Sequence, residues 1–263
     1  MNKVYQTIGT SKQNFHQRLN IQIQIDEEQA QLQMIIRQVR RDHPKMGAKV
    51  MYKMLKLKSI GRDRFIAYYN QQGYQVARMK NYRKTTNSNG VIRFPNLIRE
   101  LELTSVNQVL VSDITYYDMI DQFYYLTFIM DLYSRKIKGY SVSRSLRTID
   151  TTIPAIKMVL KNLPKGIMPI LHSDGGGQYY SKAFLSLTAG RFYNSMCDSI
   201  YENAHAERLN GTIKNQYVKP NQPTSFEELQ GYVKRTVLLY NTKRPHQSLG
   251  FNTPEQQEKY ISE

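Results

Sequence analysis

NQVLVSDITYY, residues 107–117, is the stretch on which the reading of this chain turns. Apolar residues alternate with polar ones, so Val109, Val111, Asp113 and Thr115 share one face of a predicted strand. A carboxylate on such a face is costly to bury unless something neutralises it. Downstream, FYYLTFIMDLY (123–133) reads as a buried strand and KIKGYSVSRS (136–145) as a third, giving an antiparallel meander. TIDTTIPAIKMVLKNL (148–163) has helical spacing, and MPILHSD (168–174) is a short apolar strand that ends on Asp174 and runs into Gly175-Gly176-Gly177. Strand, helix and strand in that order predict a parallel crossover, hence a mixed α/β sheet.

Asp113 and Asp174 on neighbouring core strands would repel each other unless a divalent cation lay between them, and hard carboxylate oxygens suit Mg²⁺ or Mn²⁺. Each taken alone reads equally as a strand-end cap or turn former. A third acid, Glu207, lies in YENAHAERLNGTIKNQYV (201–218). At 100° per residue Asn203, Glu207, Asn210 and Lys214 share one helical stripe, beside an apolar stripe of Ala206, Leu209 and Ile213 that would press on the sheet. Taken alone, Glu207 also reads as a surface acid paired with Arg208 or Lys214.

Upstream the chain changes character. Residues 1–100 hold 19 Lys and Arg against 6 Asp and Glu, an excess of +13, while the remaining residues contribute only +3 of the total of +16. A field of that sign attracts phosphate backbones. Residues 1–21 read as a short helical piece with Ser11 as N-cap, and 26–42 as an amphipathic helix closed by His43-Pro44. Two more helices, about 47–57 and 63–72, complete a basic three-helix module of helix-turn-helix type. The stretch 78–100 is polar, basic and turn-rich and reads as a linker. The one cysteine, Cys197, cannot close an internal disulfide, MNKVYQTIGTSKQNF lacks an apolar signal region, and FYYLTFIM is too short to span a bilayer; a protein of a reducing cytosol is expected.

Asp113 and Asp174 are 61 residues apart and Asp174 and Glu207 are 33 apart, in the order strand, strand end, helix. With NQVLVSDITYY, YYLTFIMDLYSRKIKGYSVS (124–143), LHSDGGGQYYS (171–181), YENAHAERLNGTIKNQ (201–216) and YNTKRPHQSLGFNTPEQ (240–256), the chain resembles the integrase-core transposases of the bacterial insertion-sequence three family. The resemblance extends to HPKMGAKVMYKML and IGRDRFIAYYNQQGYQVARMKNYRKTT, and so covers nearly the whole chain. Two departures stand out. Leu110 replaces the family's usual Trp, and the interval from second Asp to Glu is shortened after Ser195-Met196, which leaves Glu202 as an alternative third acid.

The resemblance implies an RNase H-like, retroviral-integrase-like catalytic core over 105–242, a mixed five-stranded sheet flanked by helices. It would be preceded by an N-terminal helical fragment (1–25), a small all-α helix-turn-helix-like DNA-binding domain (26–77) and a basic linker (78–104), and followed by a tail (243–263) packing on the core. Asp113, Asp174 and Glu207 are then the catalytic and metal-holding residues, with two Mg²⁺ (or Mn²⁺) ions per site. His172, Gln178, Asn203, Lys214, Arg62, Arg64, Lys80, Arg83, Lys84, Arg244 and His246 are the expected DNA contacts, Tyr179 follows the glycine turn near the DNA path, and Asp131 is a structural acid pairing with Arg135. The implied activity is cleavage at the element's ends and transfer of the freed 3′-OH into target DNA. The implied partners are double-stranded DNA (terminal inverted repeats and target), a second copy or higher oligomer, and an upstream-frame helix-turn-helix/leucine-zipper protein. Competing readings are an RNase H-fold nuclease that cuts without joining, a non-catalytic DNA-binding regulator, and a basic RNA-binding protein.

Overall fold

A computed structural model of the 263-residue chain describes residues 5, 7, 9–76, 94–119, 122–197 and 203–259. Contacts divide it into two compact units, Met1–Pro44 and Lys45–Glu263. In the first, Ser11 caps one 31-residue helix, α1 (Lys12–Asp42), its hydroxyl accepting the Asn14 amide. No Gly or Pro stands between Gly9 and Pro44. Nothing in the backbone therefore breaks the helix where the sequence reading separates two pieces, at residues 21–26.

The second unit opens with α2 (Ala48–Leu55) and α3 (Arg62–Gln71). Met46, Met51, Phe65 and Tyr69 are buried there, and the Tyr69 hydroxyl donates to the Met46 carbonyl at 2.7 Å.

The rest is a five-stranded sheet in the order β3-β2-β1-β4-β5. Its strands are β1 (Val109–Met119), β2 (Gln122–Asp131), β3 (Ile137–Ser143), β4 (Ile170–Ser173) and β5 (Tyr193–Met196). β1, β2 and β3 form the expected antiparallel meander, and β4 and β5 add in parallel. α4 (Thr152–Asn162) makes the crossover from β3 to β4, and α5 (Lys182–Thr188) connects β4 to β5. This is the RNase H-like arrangement. β4 and β5 have four residues each, too few for alternation to announce them. β5 in particular has no signature in the sequence.

Alternation along β1 puts Val109 and Val111 into one core and Leu110 into the other. The first core lies under α6 (Ala204–Thr212) and α7 (Phe226–Thr242), through Ala206, Leu209, Val233 and Val237. The second lies under α4 and α5, through Ile156, Val159 and Phe184. Gly139 on β3 lets α4 approach closely, since a Cβ there would sit 2.2 Å from the Ala155 carbonyl oxygen. α7 is started by a capping box. Ser225 Oγ accepts the Glu228 amide and the Glu228 carboxylate accepts the Thr224 amide.

At β3, the first strand of the sheet order, Asn241 of α7 takes both backbone groups of Ile137. Its Oδ1 accepts the amide and its Nδ2 donates to the carbonyl, each at 2.9 Å. The C-terminal helix α8 (Pro254–Lys259) is fastened to the same strand by Glu258, which pairs with Lys136 at 2.7 Å and with Lys138.

Asp131 is fully buried. Its carboxylate accepts the amides of Asn107 (2.6 Å), Tyr133 (3.1 Å) and Ser134 (2.7 Å), so the expected pairing with Arg135 is replaced by a backbone cradle.

Candidate active site

The parallel pairing of β1 with β4 sets the site. Its register ends at Ser112 opposite Ser173, and Asp113 and Asp174 are the next residues on the two chains. Adjacent strands run about 4.8 Å apart, so the pairing brings two residues 61 positions apart in sequence side by side. Gly175, at φ +75°, turns the chain at once after Asp174, and the Gly176 amide donates back to Asp174 Oδ1 at 3.1 Å.

Both carboxyl groups are pushed above the usual carboxylate range. For Asp113 burial is the main cause and the charge of Asp174 the second; Glu207 adds a smaller contribution, and the value reaches about 8. For Asp174 burial raises the pKa, and the amide bonds of Gly176 and Asp174 itself pull it partly back.

α6 supplies the rest. The stripe read from the sequence faces β1 rung by rung. Asn203 Nδ2 donates to the Ser112 carbonyl (3.0 Å), Asn210 Nδ2 to Asp113 Oδ2 (2.7 Å), and Lys214 Nζ to Thr115 Oγ1 (3.0 Å) and the Tyr116 carbonyl (3.2 Å). Glu207 sits between these tethers, in the first turn of α6, with its amide bonded to the Asn203 carbonyl and its side chain exposed. Lys214 belongs to a π-helical stretch, Ile213–Val218, that continues α6. A widened turn of this kind shifts the phase of the side chains that follow it.

The donor set fits divalent metal. It consists of two half-buried carboxylates that repel one another, oriented by neutral amide donors, with a third acid on the adjoining helix. Among the described residues, no three His, Cys, Asp or Glu side chains are already closed around a metal-sized space.

Other sequence candidates fall elsewhere. His172 is completely buried, with Nδ1 2.9 Å from Ser195 Oγ and Nε2 3.1 Å from Cys197 Sγ, and so ties β4 to β5. Tyr179 is likewise inside, its hydroxyl 2.8 Å from Ser112 Oγ. Asn203 and Lys214 are engaged with β1 as described, Asn203 being buried. Gln178 donates to the Leu146 carbonyl at 3.1 Å and so anchors the glycine turn. Arg62 is exposed and paired with Asp63 (2.8 Å), and Arg64 is exposed.

Arg244 reaches the Tyr217 hydroxyl at 3.4 Å, and the His246 ring meets Tyr240 edge-on with 4.6 Å between centroids. Burial and Arg244 lower the His246 pKa to about 3. Lys80, Arg83, Lys84 and Glu202 lie outside the described residues.

Asn210 is the site residue that sequence reading placed on the right stripe without giving it a role. Its signal was there, one turn beyond Glu207.

The integrase core domain family matches residues 104–191 and again 191–254. An insertion element IS600 uncharacterized 31 kDa protein of Shigella sonnei is 31% identical over 210 residues, covering 76% of each chain. This chain belongs to the integrase-core family of insertion-element transposases. Within that family it is also similar to a transposase for insertion sequence element IS904 of Lactococcus lactis subsp. lactis. The two are 29% identical over 200 residues, 74% of this chain and 72% of the relative. Among solved structures, the HTLV-2 integrase catalytic core domain in complex with magnesium aligns at TM-score 0.45 and 20% identity, over 58% of this chain and 96% of that one. The span matched by the integrase-core family holds all five strands, α6, α7 and the three acids.

Proposed function

We propose that this integrase-core protein is a DDE transposase, that Asp113, Asp174 and Glu207 are its catalytic acids, and that it cleaves DNA at the ends of its element and joins the freed 3′-OH to target DNA. The observation that carries the reading is the juxtaposition of Asp113 and Asp174 at the ends of neighbouring parallel strands, where burial and the charge of Asp174 raise the Asp113 pKa. The three acids would hold a pair of Mg²⁺ or Mn²⁺ ions, which when bound activate a water or 3′-OH as nucleophile and stabilise the departing 3′-oxygen.

The chain's own residues do the positioning. Asn210 and the Ile114 amide each hold one oxygen of Asp113, at 2.7 and 2.8 Å, fixing its plane. Asn203 and Lys214 pin α6 to β1 on either side of Glu207, so that acid can move only within its own rotamers. No covalent protein–DNA intermediate is needed, since an in-line displacement uses DNA or water oxygen throughout. The substrate is double-stranded DNA, the terminal inverted repeats and a target site, in the bacterial nucleoid. Arg62 and Arg64 on α3 are proposed to meet phosphates outside the site. Pairing two ends calls for at least a dimer.

The test is a strand-transfer assay with a pre-cleaved 3′-OH end in Mg²⁺ and in Mn²⁺. Joined product is expected from the wild type and a loss of at least about a thousandfold from Asp113→Asn, Asp174→Asn and Glu207→Gln. Cleavage without joining would leave a nuclease, and full activity of Glu207→Gln with loss in Glu202→Gln would move the third acid.

A further inference from the structure

The two faces of α6 have opposite chemistry. Glu207 and its stripe point toward β1, whereas His205, Arg208 and Thr212, at i, i+3 and i+7, lie nearly half a turn round the helix. That second face lines a cleft of about 560 Å³, closed across from it by Arg135, Arg244 and the 246–248 segment, with Met130, Leu209 and Tyr240 as an apolar floor. We propose that this cleft is an oxyanion site for a phosphate group, distinct from the catalytic acids. The inference rests on the transposase reading only for naming DNA as the phosphate's first source.

Several observations converge. Three guanidinium groups and two imidazoles, those of His205 and His246, line the cleft, and among the described residues no Asp or Glu lines it. Asp131, whose charge is felt by Arg135, does not line the cleft and is occupied by the amides of Asn107, Tyr133 and Ser134. Arg135 is half-buried and its Nη1 donates to His205 Nδ1 at 2.9 Å, so the imidazole accepts from a cation and offers no counter-charge. Burial lowers the pKa of both Arg135 and His205; Arg208 lowers each further and Arg135 adds to the effect on His205, while Asp131 partly offsets it at Arg135. At the inner end, His246 Nε2 is buried without a hydrogen-bond partner among the described residues.

Gathering like charges around a concavity is unfavourable unless an anion enters it, and arginine forks match the tetrahedral oxygens of phosphate. Thr212, Gln247 and Ser248 add neutral donors at the rim. A helix is about 10 Å across. A phosphate held here is therefore too far from Asp113 to be the one cleaved, yet close enough to belong to the same duplex or to a second one passing behind α6.

The test uses the full chain in EDTA, so that binding is read without catalysis. Duplex DNA affinity is measured by fluorescence anisotropy across a salt series for wild type, Arg208→Gln and Arg208→Gln/Arg244→Gln. Melting curves verify the fold, and Arg208, being exposed, is the variant least able to disturb it. Loss of one phosphate contact is expected to weaken DNA binding several-fold and to reduce the slope of log K against log salt by about 0.9. In parallel, inorganic phosphate is titrated while the arginine side-chain NMR resonances are followed. Saturable shifts that vanish in Arg208→Gln support the site.

Shifts with unchanged DNA affinity assign it to a free phosphate compound instead of the DNA backbone. Wild-type DNA affinity and slope in the double variant, together with no saturable phosphate response, overturn the proposal, as does binding of an acidic peptide but not of phosphate. If the DNA and phosphate arms succeed while strand transfer fails, the transposase reading alone is at fault.

Discussion

At the scale of single residues, Asp113 holds the clearest consequence. In the metal-free protein its pKa, about 8, lies above the ordinary 3.8, so the folded state binds that proton more tightly than the unfolded chain does. The corresponding stability is fully present below about pH 4 and is lost as pH rises toward 8. Metal-free melting temperature should therefore fall between pH 5 and pH 8.5. Added Mg²⁺ should raise it more at pH 8 than at pH 6, because ionised carboxylates are what the cation binds. Asp113→Asn should flatten the pH trend and melt higher than wild type at pH 8 in EDTA. Scanning calorimetry at the two pH values decides it, and a wild-type curve independent of pH would contradict the assignment.

Asn210 makes a second case. Replacing it by Leu removes the amide that orients Asp113 Oδ2, and outer partners of metal ligands typically matter by 10–100-fold. Cleavage should drop by about that factor in kcat with little change in melting, and higher Mg²⁺ should partly restore it.

The stripe Asn203, Glu207, Asn210, Lys214 was legible because it needs only the 100° step of a helix. Its partners on β1 were not, because no local pattern encodes a register across 97 residues. The burial of His172 was not legible for a related reason: alternation says which face a side chain takes, not whether Ser195 and Cys197 already occupy it.

Among the elements, the long ones announced themselves. β1 and β2, at 11 and 10 residues, have enough alternation or apolar run to be seen, whereas β5 has four residues, of which Tyr193 is exposed. α1 looked interrupted because in its middle, Asn20–Ile25, isoleucine and polar residues alternate with a period of two instead of the helical spacing; no Gly or Pro breaks the backbone there. The contact of β3 with α4 turns on one hydrogen atom. Gly139→Ala would place a methyl group 2.2 Å from the Ala155 carbonyl and 3.0 Å from Val159 Cγ2. The closest of these atoms is backbone, which leaves little room to yield. Overpacking of this kind costs about 1–3 kcal/mol, and a fall in urea midpoint at constant m-value is the expected result. An unchanged midpoint would mean that α4 slides freely on the sheet.

For the whole molecule, charge is the property sequence conveys best and also the one it blurs. The excess of +13 in the first hundred residues is plain, while the +3 of the remainder hides a cleft lined by three arginines and, among the described residues, by no carboxylate. Averages over a chain cannot report which cations the fold collects.

The Asn241 side chain has a different kind of reach. By taking the amide and carbonyl of Ile137 it stands in for a rung of backbone at the free margin of the sheet. Protein that crowds onto a nucleic acid at high local density runs the risk that exposed strand margins zip to one another. Asn241→Ala would open that margin, and light scattering at rising concentration should show earlier aggregation than wild type despite a similar spectrum of secondary structure. The carboxamide is thus a courtesy between copies: it keeps neighbours from being mistaken for the next strand.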